Sequence, residues 1–188
     1  DVMQDIKLLS SQVERCNEIL KRLSLNPNEE DDFIDEDQNI RDYLKEIVNS
    51  FQETSNKKFI LNFDNDKNSK KITKSIEIVY GLRNFIGNAN KFSREKVFID
   101  LISDNDTTEI IIYDDGSGYP SDILSKIGEP YLKSTKSISK EKIGLGLGLF
   151  IGKNLLEKNF ASVNCWNSQK TGAAEVTIKW RNKDLFNL

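Results

Sequence analysis

The sequence predicts an α/β protein: a two-layer sandwich of helices on a mixed, largely antiparallel sheet, preceded by a coiled-coil-like helix. Three observations carry this expectation. Apolar residues recur at helical spacing in several stretches, and in the first the spacings alternate strictly between three and four. Two runs alternate apolar and polar residues on either side of Asp104-Asn105-Asp106, as the arms of a hairpin do. Two further β-rich runs near the C-terminus flank a turn through Lys170-Thr171-Gly172.

The elements follow in chain order. Val2, Ile6, Leu9, Val13, Cys16, Leu20 and Leu23 make an a/d stripe over residues 2–23, narrower than a globular face requires, which favours an intermolecular bundle over one helix lying on its own domain. Asn26-Pro27-Asn28 and the acidic run Glu29–Asp37 then break the period and read as a solvated linker. The expected organisation is therefore a helix over 1–25, a linker over 26–38 and a domain over 39–188. Within the domain, Ile40 to Phe51 reads as an amphipathic helix, Lys57–Phe63 as a strand, and Asp64–Lys71 as a polar turn. Residues 72–92 read as a long helix, Val97–Ser103 and Thr108–Asp114 as the hairpin strands, and Asp122–Ile127 as a short helix with Pro120 at its start. Residues 128–143 are polar and aperiodic. Gly146–Phe160 reads as a helix, and Ala161–Trp166 and Ala174–Trp180 as the last strands.

Composition narrows the functional classes. The chain has 188 residues, 37% hydrophobic and 30% charged, enough for a real core. A net charge of −3 argues against nucleic acid as the main partner. No apolar run reaches the roughly 20 residues of a membrane span. Cys16 and Cys165 are too few for a disulfide framework or a cysteine-cluster metal site. The absence of histidine removes imidazole ligands, imidazole bases and a histidine phosphoacceptor together. With an opening that reads as mid-helix, it suggests a fragment of a longer protein.

Four motifs fall in one order: Asn84-Phe85-Ile86-Gly87-Asn88-Ala89-Asn90-Lys91-Phe92, Asp114-Asp115-Gly116-Ser117-Gly118, Ile127-Gly128-Glu129-Pro130-Tyr131, and Gly144-Leu145-Gly146-Leu147-Gly148-Leu149. Each alone is an ordinary turn or a polar helix face; together they supply what a Mg-nucleotide site needs. Asn84, Asn88 and Lys91 share one helix face at i, i+4 and i+7, and two asparagines are costly inside a helix unless a hard-oxygen ligand is wanted there. Asp114 ends a strand, where its carboxylate can accept from an exocyclic amine, favouring adenine over guanine. Gly116 and Gly118 keep side chains out of the way. The last motif is neither a P-loop nor a dinucleotide fingerprint, because no Gly-Lys-Ser/Thr follows and no strand precedes it. Its backbone amides and the helix start beyond suit phosphate. The polar segment between, with Lys133, Ser134, Thr135 and Lys136, has the composition of a nucleotide lid.

This series resembles the N box, first glycine box, F box and second glycine box of the GHKL ATP-binding superfamily, and within it the bacterial sensor histidine kinases. The resemblance implies the Bergerat fold and the substrate ATP with Mg²⁺. It makes Asn88 the metal ligand, with Asn84 and Lys91 completing the catalytic set. It places Phe92, Asp114, Gly116, Gly118, Tyr131, Lys133, Thr135, Lys136, Gly144, Gly146, Leu147, Gly148 and Leu149, with Asn88 and Lys91, around the nucleotide. Asp115 stands where the family usually has Asn, and Gly128 where it usually has an aromatic residue. The superfamily's hydrolases carry a glutamate four residues before the metal-binding asparagine; Asn84 cannot take a proton there, which points to a kinase.

As a kinase, the chain is expected to pass the ATP γ-phosphoryl to a histidine outside this sequence, for relay to an aspartate of a response-regulator receiver domain. Residues 2–23 then resemble the second helix of a dimerisation hairpin, implying a homodimer. Val13–Leu20 is similar to redox-responsive RegB/PrrB-type kinases, which would make Cys16 a candidate redox thiol. The expected setting is the bacterial cytoplasm, with membrane anchoring only through segments absent here. The alternatives are a GHKL serine kinase of anti-sigma type, a GHKL ATP hydrolase, and a dimerisation module without ATP binding.

Overall fold

The structure, a computed structural model, describes residues 39–67, 75–127, 129–130 and 147–185. The stripe of residues 2–23, the acidic linker, the boundaries placed at 25 and 38, and Cys16 lie outside them.

The first described helix, α1 (Ile40–Gln52), starts where Asn39 turns its side-chain oxygen back onto the Asp42 N–H at 3.0 Å. That cap satisfies one of the orphan donors of a helix start. The helix buries Ile40, Tyr43, Leu44, Ile47 and Val48, an i, i+3, i+4, i+7, i+8 stripe. Strand β1 (Lys58–Asp66) follows, then α2 (Ile76–Phe92), β2 (Lys96–Ser103) and β3 (Thr107–Asp114). A short α3 (Ser121–Leu124), α4 (Gly148–Lys158), β4 (Ser162–Asn167), β5 (Ala174–Arg181) and a last turn of helix, α5 (Asn182–Leu185), complete the order.

The five strands form one sheet in the order β1-β2-β3-β5-β4. β1 runs parallel to β2, with α2 as the crossover; the other three pairings are antiparallel. The sheet is therefore mixed and largely antiparallel, as expected. Alternation decides the faces: Val97, Ile99 and Leu101 of β2, Ile110 and Ile112 of β3, and Val176, Ile178 and Trp180 of β5 point to the helices and are buried. There they meet Ile78, Leu82, Phe85 and Ile86 of α2 and Leu156 of α4. Each such side chain contributes about 1.5–3 kcal/mol by leaving water. Trp180 is fully buried, and its indole N–H donates to the Asn159 carbonyl at 3.0 Å. The opposite face is only partly covered by its own residues, among them the stacked Phe98 and Tyr113 rings, 4.7 Å apart.

Four boundaries differ from expectation. β1 runs three residues beyond Phe63, because one extra residue between Asn62 and Asn65 bulges out and lets Asn65 and Asp66 pair with Ile102 and Ser103. Asp66 is then held by Arg41 at 2.7 Å and by the Ser103 hydroxyl. Among the described residues, α2 starts at Ile76, where Ser75 caps it by accepting from the Ile78 N–H. α4 starts at Gly148 rather than Gly146, and α3 ends at Leu124, with Pro120 as the cap rather than the first helical residue.

Helices α2 and α4 cross very closely. A methyl group added at Gly81 would lie 2.5 Å from Leu156 Cγ, and one at Gly152 would lie 3.0 Å from Asn84 Cβ. Near the same crossing, Lys158 Nζ donates to Glu77 Oε1 at 2.6 Å and Asn159 Nδ2 donates to Glu77 Oε2 at 2.7 Å. Those two donors hold the Glu77 carboxyl below its ordinary range. The crossing fixes the start of α4 against the middle of α2, which is where the asparagines sit.

Candidate functional site

α2 carries the asparagine face. Asn84 is half-buried, and its Nδ2 donates to the Tyr80 carbonyl one turn back at 2.8 Å. Its oxygen faces α4: a methyl on Gly148 would lie 3.5 Å from Asn84 Oδ1. The first asparagine of one motif and the helix start of another are thus brought together. Asn88, one turn further on, is half-buried and makes no side-chain hydrogen bond among the described residues. Lys91 and Phe92 are exposed at the end of the helix, with the Lys91 ammonium 5.3 Å above the Phe92 ring.

Asp114 is the last residue of β3, on the buried face of the sheet, and only 5% exposed. Its Oδ1 accepts from the Gly116 N–H at 2.7 Å. Burial pushes this carboxyl above its ordinary range; the Gly116 N–H pulls it down and the charge of Asp115 pushes it up again. A buried carboxylate with a single neutral donor is an acceptor held ready for another donor.

The turn that follows is held on both flanks. Asp115 takes three backbone N–H groups from the loop after α2: Arg94 at 2.7 Å, Glu95 at 3.0 Å and Lys96 at 3.1 Å. Only a carboxylate offers two acceptor oxygens to that loop, which explains aspartate where an asparagine was expected. Gly116 lies so near the end of α2 that a methyl there would be 2.5 Å from the Phe92 carbonyl oxygen. Gly118 has φ +78°, and a methyl on it would strike the Gly172 carbonyl. Both the left-handed backbone and the lack of room demand glycine at 118.

Behind the turn, Tyr119 is buried against the core, beside Cys165. Burial, and then the charges of Cys165 and Asp114, push the Tyr119 phenol well above its ordinary range. Burial pushes the Cys165 thiol up to about 11, against smaller downward pulls from Lys153 and the Tyr119 hydroxyl. This cysteine stays a thiol at neutral pH and packs as an apolar group.

The structure therefore gathers Asn84, Asn88, Lys91, Phe92, Asp114 and Gly116 around the C-terminal part of α2, with Leu147, Gly148 and Leu149 at the start of α4, while Gly118, further along the turn, lies against Gly172 and Asn167. Tyr131, Lys133, Thr135, Lys136, Gly144 and Gly146, and the lid segment around them, lie outside the described residues. Sequence reasoning did not single out the roles of Asp115 and Tyr119. Among the described residues no cluster of three or more histidine, cysteine or carboxylate side chains could hold a metal. A hard cation bound with phosphate oxygens needs no such cluster, and the uncommitted amide oxygen of Asn88 fits it.

Comparison with known proteins agrees with this fold. The family described as histidine kinase-, DNA gyrase B-, and HSP90-like ATPase matches residues 73–184. A curated relative, the sensor histidine kinase RegB of Cereibacter sphaeroides, is 31% identical over 175 residues, covering 87% of the chain and 37% of the relative. The chain thus spans just over a third of that relative's length. The solved catalytic domain of histidine kinase ThkA, in a nucleotide-free form, superposes with a TM-score of 0.62 at 19% identity, over 77% of this chain and 95% of that one. Full-length ShkA, solved in complex with AMPPNP, gives a TM-score of 0.61 at 19% identity, over 77% of this chain and 30% of that one.

Proposed function

Since the chain belongs to the histidine kinase-, DNA gyrase B-, and HSP90-like ATPase family, we propose that it is the ATP-binding catalytic part of a two-component sensor histidine kinase. The observation that carries this reading is the buried Asp114 carboxylate at the end of β3, bonded to the Gly116 N–H and followed by a turn with no room for a side chain at Gly116 or Gly118. There it accepts the adenine amino group, while the ring of Phe92 covers one side of the base. Lys91 and the amides at the start of α4 hold the phosphates. Asn88 holds Mg²⁺ through its amide oxygen, and the ion offsets phosphate charge during transfer.

Asn84 supports the kinase reading over hydrolysis. Its Nδ2 is committed to the Tyr80 carbonyl and its oxygen faces Gly148, so the position offers water no proton acceptor comparable to a carboxylate. The γ-phosphoryl instead passes to a histidine on another segment, and from there to an aspartate of a receiver domain. Residues 2–23 supply the homodimer contact, and Tyr131, Lys133, Thr135 and Lys136 add lid contacts to phosphate. The whole protein works from the cytoplasm, with any membrane anchor in other segments.

Calorimetry with ADP and ATP, with and without Mg²⁺, tests the reading. Asp114→Asn replaces a charged acceptor and should weaken ADP roughly 10–100-fold. Asn88→Ala should remove the Mg²⁺ dependence. Because burial raises the Asp114 carboxyl, wild-type affinity should fall as the pH drops through a range above that of ordinary carboxylates. With radiolabelled ATP the chain alone should gain no acid-labile label, and should label a supplied histidine hairpin. No nucleotide binding by the wild type, or unchanged affinity in both variants, overturns the reading. Label on Ser or Thr of this chain puts the anti-sigma-type kinase ahead, and steady ATP turnover the hydrolase.

A further inference from the structure

We infer that Asn167, outside every motif above, is a positioning residue for the base pocket, and that its side-chain amide sets the geometry of the Gly116–Tyr119 turn. This deepens the nucleotide-binding reading and rests on it. Asn167 ends β4, the edge strand, and pairs with Ala174 of β5. β4 does not touch β3, because β5 lies between them. Asn167 nonetheless reaches the segment after β3: the Tyr119 N–H donates to its Oδ1 at 2.7 Å, and its Nδ2 donates to the Tyr119 carbonyl at 2.8 Å. These are the two bonds a neighbouring strand would make with one residue, supplied here by a side chain.

The same side chain limits the turn from outside. A methyl on Gly118 would lie 2.8 Å from Asn167 Oδ1, besides striking the Gly172 carbonyl. Gly172 is in turn fixed by its N–H to the Ser168 carbonyl at 2.7 Å, and the Ser168 N–H by the Ala173 carbonyl at 2.9 Å. The turn is thus held between two side chains. The Asp115 carboxylate ties it to the loop after α2, and the Asn167 amide ties it to the β4–β5 hairpin. Gly116 binds Asp114 Oδ1, so a turn released on the Asn167 side also releases the acceptor that faces adenine.

Only an amide satisfies both Tyr119 groups. Asn167→Ala loses both bonds; Asn167→Asp keeps the size and the acceptor but turns a carboxylate toward a carbonyl. In the full 188-residue chain, each should raise the calorimetric Kd for ADP on the order of tenfold. Asn164→Ala, on the same strand but facing outward, should leave it unchanged. Hydrogen exchange supplies the readout that a merely structural role would not move. In Asn167→Ala the amides of residues 115–119 should exchange faster, and ADP should protect them less, while the β4–β5 ladder keeps its wild-type protection. Wild-type ADP affinity in both Asn167 variants, or faster exchange confined to β4 and β5, overturns the inference while leaving nucleotide binding intact. A wild-type chain that binds no ADP overturns both.

Discussion

Gly81→Ala tests whether the α2–α4 crossing is set by contact or by helix propensity alone. Propensity favours the change, since alanine gains about 1 kcal/mol over glycine in a helix interior. Contact opposes it. The new methyl would sit 2.5 Å from Cγ and 2.8 Å from Cδ2 of Leu156, a fully buried side chain. Cγ is a branch point and cannot swing aside as a chain end can, so the helices must separate or Leu156 must leave its rotamer. Overpacking of this kind costs about 1–3 kcal/mol, and a clash at a branch point belongs at the upper end. The expected net effect is a loss of about 1–2 kcal/mol.

A double-mutant cycle isolates the clash. Leu156→Ala alone should cost about 2–5 kcal/mol through its cavity. In the double variant the methyl enters that cavity instead of colliding, so the sum of the single effects should overestimate the loss by about 2 kcal/mol. Urea denaturation of the four proteins measures the cycle. Additivity within about 0.5 kcal/mol, or a Gly81→Ala variant more stable than wild type by the full propensity gain, would refute the contact account. ADP titration of the same four proteins adds a functional readout. The crossing places Gly148 against Asn84, so affinity should fall with Gly81→Ala and recover in part in the double variant.

Two further outcomes are expected. Asp115→Ala should cost about 1–2 kcal/mol at neutral pH by stripping the acceptor from three backbone N–H groups. Burial works against the Asp115 carboxylate, but the Glu95, Lys96 and Arg94 amides outweigh it and hold the carboxyl below its ordinary range. Its stabilisation is therefore complete above the unfolded carboxyl range and is lost as pH falls through the lower folded one. Denaturation across that window should show the gap between wild type and variant closing on the acid side. Phe160→Gly should stabilise the domain by about 0.5–1 kcal/mol in thermal or urea melts. Phe160 stands just beyond the C-cap of α4 at φ +63° with 62% of its surface exposed, so relief of left-handed strain exceeds both glycine's added chain entropy and the little packing lost.

The parts of the fold legible in the sequence were those whose signal is local. The alternation in β2 and β3, the turn at Asp104–Asp106 and the helical period of α2 each depend on neighbours a few residues away. The last three residues of β1 were misread as a turn because Asp64, Asn65 and Asp66 look like loop composition. They are strand because a bulge restores pairing with β2 and Arg41 meets Asp66 from α1, partners 25 or more residues distant. The parallel pairing of β1 with β2 is equally non-local. At the candidate site, Asn84, Asn88 and Asp114 stood out because asparagines in an apolar helix and an aspartate ending an apolar strand are locally expensive. Asp115 stands out in the sequence only as an aspartate where the family usually has Asn, because its three donors lie some twenty residues earlier. Tyr119 and Asn167 break no local rule, and only the fold brings them together.

The strand order has a consequence for how the domain comes apart. Within the sheet, β1-β2-β3 and β5-β4 meet at one ladder, β3 with β5, and Asp114 stands at the end of it. The turn after Asp114 is moored to one half through Asp115 and to the other through Asn167, with Gly118 close against Gly172. A nucleotide bound there would act as a clasp across the seam. Its binding energy opposes any opening that parts the two halves and hardly touches fraying within either one. Occupancy would thus be read most clearly in the rate at which the halves separate under force or denaturant, and the seam, more than the core of either half, is where a ligand governs the lifetime of the folded state.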